Sequence, residues 1–143
     1  MPSTRTFDPN RVTVSLFGAP IGSGFAEDSK VKIERPTADW TFKEGVDGEI
    51  TRSKTNSKLT KFTLYLMQSS PYNAILDKVR KEDQSNNDGI GPCFVASLDG
   101  AFDVFMAAGS IEGPPKEVEI GREVKVNEWV IIGAETSRTD AAP

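Results

Sequence analysis

The sequence predicts a mainly β domain, a two-sheet sandwich or small barrel with one flanking α-helix and a long projecting β-hairpin. Three observations carry this expectation. Apolar and polar residues alternate at period two through most of the chain, helical spacing occurs in one segment, and one β-like stretch is polar on both faces. At 143 residues the chain matches one domain in size. Residues 1–143 are therefore read as a single unit, with its extreme residues, 1–6 and 135–143, expected to fray.

The elements follow in order. Residues 11–17 place Val12, Val14 and Leu16 on one face, as a half-buried strand does. Residues 18–24 read as turn chemistry, and their three glycines are not followed by the helix that a phosphate loop needs. Residues 30–35 form a second short strand through Val31 and Ile33, ended by Pro36. Trp40 and Phe42 then share a face, read as core, before the turn dipeptide Asp47-Gly48.

Residues 49–67 are the longest β-like stretch. Phe62, Leu64 and Leu66 give its later half a core face. Ser70-Pro71 and the spacing of Tyr72, Ile75, Leu76 and Val79 predict a helix over 71–83. Residues 94–98 and 101–108 read as a hairpin turning at Asp99-Gly100. Beyond Gly113-Pro114-Pro115, residues 117–120, 122–126 and 128–134 give short alternating pieces.

Composition narrows the chemistry. With no His, the chain holds no Ser-His or Cys-His nucleophile arrangement, and a lone Cys93 makes no internal disulfide or two-thiolate metal site. Cys93 is expected to fill core. No run is apolar enough for a membrane helix, and the start lacks the apolar stretch of a secretory signal. The net charge of −4 disfavours tight nucleic-acid binding. The carboxylates are too dispersed to select a catalytic pair, so no enzyme, cofactor or metal site is expected.

The earlier half of the long stretch calls for a functional account. Thr51, Ser53, Thr55 and Ser57 alternate with Arg52, Lys54, Asn56 and Lys58, which leaves neither face apolar. Such a ribbon gains little from burial on its own domain. One reading is a flexible loop; the other is an arm completed by a neighbouring subunit. Glu44, Asp47 and Glu49 precede the basic residues Arg52, Lys54, Lys58 and Lys61, so the outgoing and returning arms are expected to differ in sign. Glu44, Asp47, Glu49, Thr51, Arg52, Lys54, Thr55, Lys58 and Lys61 are the candidate subunit-interface residues.

The order of these segments resembles the tail tube protein of contractile-tailed bacteriophages. The matching pieces are Phe7-Asp8-Pro9-Asn10-Arg11-Val12, Val46-Asp47-Gly48-Glu49-Ile50-Thr51-Arg52 with Thr55-Asn56, and Ser69-Ser70-Pro71-Tyr72-Asn73. Leu98-Asp99-Gly100, Ile111-Glu112-Gly113-Pro114-Pro115 and Glu128-Trp129 follow. The resemblance implies hexameric rings stacked into a virion tail tube, assembled in the host cytoplasm, with sheath, baseplate and tail terminator proteins as partners. Genomic DNA would pass through the lumen without specific binding, and no membrane is involved. Lateral contacts are expected along residues 49–61. Ring stacking is expected through residues 44–48, the N-terminal residues and the polar tail. The helix is a candidate sheath-facing surface.

Two rivals stand beside that expectation. One is the ring protein of a bacterial contractile injection or secretion apparatus, whose bore carries protein. The other is a monomeric β-barrel binding an oligonucleotide or sugar, which requires an exposed aromatic platform.

Overall fold

The computed structural model describes residues 12–26, 30–97 and 102–140. Ten strands and one helix occur among them: β1 Val12–Leu16, β2 Ala19–Ile21, β3 Val31–Glu34, β4 Trp40–Glu44, β5 Ile50–Lys54 and β6 Leu59–Met67, then α1 Tyr72–Asn86, β7 Gly91–Ser97, β8 Asp103–Ile111, β9 Val126–Ala134 and β10 Ser137–Thr139. The fold is mainly β, as the alternation predicts, in two sheets. Eight strands make one sheet in the order β2-β1-β7-β8-β9-β6-β3, with β10 also on β8, and β4 pairs only with β5.

The large sheet curls towards closure. Ile21 lies on β2 at one edge, and Phe25 bridges Leu66 of β6 beside the opposite edge strand. Four residues of chain span at most about 14 Å, so the two edges are brought close. The bend passes through β8. Its first residues, Asp103 to Phe105, pair with both β7 and β10, whereas Gly109 to Ile111 pair with β9. Gly133 permits the approach of β8 and β9, because a Cβ there would lie 2.8 Å from the Ala108 carbonyl oxygen.

The alternating faces of β1, β6, β7, β8 and β9 converge inside the curl on Leu16, Phe62, Leu64, Val95, Met106 and Ile131. Leu76 of α1 joins them, with Tyr72 and Val79 packed alongside. The helix begins at Tyr72, one residue later than Ser70-Pro71 predicts, with Pro71 in the cap position. Pro71 already has φ −66°, and the Ser70 hydroxyl oxygen accepts from the Tyr72 N–H at 3.3 Å. It runs to Asn86, three residues beyond the expectation, and stops where Asn87 turns left-handed at φ 58°.

Several expectations are corrected. The turn-like residues 18–24 include β2, because Phe17 and Gly18 both take positive φ and fold a two-residue hairpin turn ahead of it. Ile75 faces solvent while Leu76 takes the core. Residues 117–120 and 122–125 form no strand, since Gly113, Pro114 and Pro115 lead the chain away from any ladder. The polar tail does not simply fray: Ser137–Thr139 pairs with β8, and Thr136 N–H donates to the Phe105 carbonyl at 2.8 Å. The opening motif residues 7–11, the N-terminal stacking residues, the turn at 98–100 and residues 141–143 lie outside the described residues.

Candidate assembly interface

The two-stranded sheet is a hairpin that leaves the body. Every residue of β4 and β5 is exposed, and their register pairs Trp40 with Lys54, Phe42 with Arg52 and Glu44 with Ile50. Its tip is built by sequence. Gly48 N–H donates to the Gly45 carbonyl at 3.0 Å, Gly45 N–H donates to the Glu49 carbonyl at 2.7 Å, and Gly48 takes φ +86°. This is a three-residue turn closed by a left-handed glycine. The Asp47 carboxylate accepts the Glu49 N–H at 3.2 Å.

Opposed residues in an antiparallel pair share a face. One face therefore carries Trp40, Phe42 and Ile50 with Arg52, Lys54 and Glu44, and the other carries Thr41, Lys43, Thr51 and Ser53. Phe42 is 68% and Ile50 64% exposed, so this ribbon displays a large apolar surface in water. The Arg52 guanidinium lies 3.8 Å from the centre of the Trp40 ring, a cation–π contact that orders the base of that face.

Three expectations change here. Trp40 and Phe42 are not core, because their strand pairs only with β5. The ribbon does have an apolar face, contributed by Trp40 and Phe42 of the outgoing strand and Ile50 of the returning one, all outside residues 51–58. Charge divides by height and not by strand: Glu44, Asp47 and Glu49 cluster at the tip, while Lys43, Arg52 and Lys54 lie below them.

The nine candidate residues separate accordingly. Glu44, Asp47, Glu49, Thr51, Arg52 and Lys54 belong to the hairpin. Thr55 stands at its base, where its N–H donates to the Asp39 carbonyl at 2.7 Å. Lys58 and Lys61 belong to the body. The Lys58 carbonyl accepts the Glu135 N–H at 2.8 Å, and Lys61 sits within β6 opposite Ile132. Missed from sequence were Trp40, Phe42 and Ile50. Their alternation was legible, but periodicity does not say which strand pairs with which.

The base is anchored by Arg35. Its guanidinium reaches Asp39 at 2.7 Å, donates to the Ser57 carbonyl at 3.0 Å and lies 3.6 Å from Glu135. The start and the end of the hairpin segment are thereby tied to one side chain. No cluster of three or more potential metal ligands occurs among the described residues.

No protein-family model matches the chain. It is similar to the structural protein ORF10 of Pseudomonas phage KPP10, at 30% identity over 112 residues, 75% of this chain. The chain spans 60% of that protein's length. Among solved structures, the tube-terminating cap of the anti-feeding prophage has the same fold, with a TM-score of 0.67 at 12% identity, covering 99% of this chain and 95% of the cap. The sheath/tube terminator of the PVC extracellular contractile injection system aligns with a TM-score of 0.58 at 14% identity, covering 92% and 95% of the two chains.

Proposed function

We propose that this single-domain chain is a structural subunit, without a catalytic role, that assembles with copies of itself into hexameric rings stacked as the inner tube of a contractile phage tail. The observation that carries this reading is the exposed hairpin with its aromatic face. An isolated two-stranded ribbon is marginal in water, and free ladder edges and exposed aromatics both favour association. A neighbouring copy supplies what the chain's own body withholds. Similarity to a phage structural protein supports the setting.

The remaining partners follow from that setting: sheath around the tube, baseplate and terminator proteins at its ends, and genomic DNA in transit through the lumen. An acidic wall suits passage of a polyanion, because each cation held on a phosphate adds attraction and slows transit. Arg52 is already engaged on Trp40, which directs one of the arm's cations towards its own ribbon.

A second reading is a single ring that ends the tube, in a phage tail or an injection apparatus. The likeness to two terminator structures, across nearly the whole chain, favours it. The two readings differ in valence, since a tube subunit needs contacts above and below its ring and a cap needs one set. Light scattering and negative-stain electron microscopy of the purified chain separate them. Tubes are expected; isolated rings that bind tube ends select the cap. A monomer at every concentration, with no polymer grown on a tail-assembly initiator, overturns both.

A further inference from the structure

The hairpin face requires a receiving surface, and the opposite end of the body carries a suitable one. Residues 112–125 form an irregular segment that leaves Val118, Ile120 and Val124 exposed, Ile120 at 89%. Gln68 pins this segment in place. Its Nε2 donates to the Glu119 carbonyl at 2.8 Å and its Oε1 accepts the Lys125 N–H at 3.3 Å. Its own N–H donates to the Lys125 carbonyl at 3.0 Å. Held this way, the segment walls a cleft of about 360 Å³ lined by Val126, the carboxylate residues Glu117, Glu119 and Glu128, and the two lysines Lys116 and Lys125. A second cleft of similar size, lined by Pro114, Pro115 and Val130, shares Lys116 and Glu128 with the first.

The two surfaces are complementary in chemistry. The hairpin offers aromatic and aliphatic side chains flanked by Arg52 and Lys54. The clefts offer Val126, Val130, Pro114 and Pro115 among carboxylates that outnumber their lysines. The exposed Val118, Ile120 and Val124 lie on the same segment, and residues 112–128 hold five Glu against two Lys and one Arg. Within one chain they stay apart. The hairpin leaves the body next to Leu59, and the cleft adjoins Met67 through its partner Val126, so they sit at opposite ends of β6. At about 3.3 Å per residue that separation is about 26 Å. The strands β4 and β5 are exposed along their length, Trp40 at 36%, and pair only with each other, so the hairpin does not join the body's sheet.

We infer that the Trp40–Phe42–Ile50 face of one copy seats in the cleft of residues 112–128 of a second copy. This rests on the self-assembly reading and identifies its joint. Two different patches at opposite ends make the contact head-to-tail, the type that closes into a ring or continues as a filament. Phe42 supplies the apolar anchor, while Arg52 and Lys54 against Glu117, Glu119 and Glu128 set the register.

The test exploits Cys93, which is fully buried and so silent to surface oxidation. Glu44→Cys, on the same face as Phe42, and Val126→Cys variants, mixed under oxidising conditions, should form a disulfide-linked dimer that neither variant forms alone. A mixture giving no more dimer than the separate variants overturns the inference. Arg52→Glu and Glu128→Arg should each lose assembly, and the double variant should regain it; absence of that rescue also overturns the pairing.

Phe42→Ser distinguishes the two levels of argument. Circular dichroism should show an unchanged fold, and association should weaken by about thirtyfold or more, the scale of a buried aromatic anchor. If Phe42→Ser assembles like an assembling parent, the hairpin face is not the joint and the inference is overturned while self-assembly stands; a parent that stays monomeric overturns the proposed function instead. If it loses assembly while Glu128→Arg retains it, self-assembly stands and the cleft is overturned as the receiving site, whether another surface or another tail protein takes its place.

Discussion

Arg35 and Glu135 face one another at the base of the hairpin, with Arg35 Nη1 3.6 Å from Glu135 Oε2 and the two side chains only 17% and 6% exposed. The same guanidinium holds Asp39 on the outgoing side of the hairpin and the Ser57 carbonyl on the returning side. A side chain joined to both sides of a projecting ribbon, and through Glu135 to the segment before β10, sets the direction in which the ribbon leaves.

Arg35→Ala should therefore destabilise the fold as well as loosen the arm. It leaves the buried Glu135 carboxylate with Arg138 alone among the described residues, at 3.6 Å, and removes a charged donor from the Ser57 carbonyl, an effect of about 1–3 kcal/mol. Urea unfolding measures the first part, and faster amide exchange in β4 and β5 the second. Arg35→Lys should recover only part of the loss, because an ammonium lacks the guanidinium fork.

Excision of the hairpin should separate folding from assembly. Replacing residues 40–54 by a short Gly/Ser linker removes two exposed strands that pair only with each other, so the change in stability should stay within about 1 kcal/mol. Assembly should disappear in sedimentation velocity. Deleting residues 51–58 is a poorer experiment, because the Ser57 and Lys58 carbonyls and the Thr55 N–H are bonded at the base and body.

Asn73 joins the start of α1 to β9. Its Oδ1 accepts the Trp129 Nε1–H at 2.8 Å, and its Nδ2 donates to the Met67 and Ser70 carbonyls at 2.8 and 3.1 Å. Asn73→Ala leaves the indole N–H of a buried tryptophan unpaired. A loss of about 1–3 kcal/mol is expected, read from the denaturation midpoint, with a change in tryptophan fluorescence.

Burial pushes the Cys93 thiol up from 9.0 to about 11. At pH 8 the native thiol should react with alkylating reagents only through opening, far more slowly than in urea. The sign of the pH effect follows. Between pH 9 and 11 the unfolded thiol ionises before the folded one, so this group lowers stability as pH rises through that window. Cys93→Ala should lack that contribution, which pH-dependent thermal melts can detect.

The alternation of Val14 and Leu16 and of Phe62, Leu64 and Leu66 determined those strands and their buried faces from the sequence. Ser70-Pro71 with Tyr72, Leu76 and Val79 likewise determined the helix. Period and cap chemistry are local, so they survive in a linear reading. The polar character of Thr51 to Lys54 also marked a ribbon that its own core would not cover.

Tertiary structure alone decided the rest. A period-two pattern says which residues share a face but not whether anything covers it, and so Trp40 and Phe42 read like core although β4 meets only β5. Nor does local pattern place Arg35 beside Glu135, or the Gln68-pinned segment at the far end of β6 from the hairpin. Those relations depend on strand order and register, which arise from pairings between residues far apart in the chain.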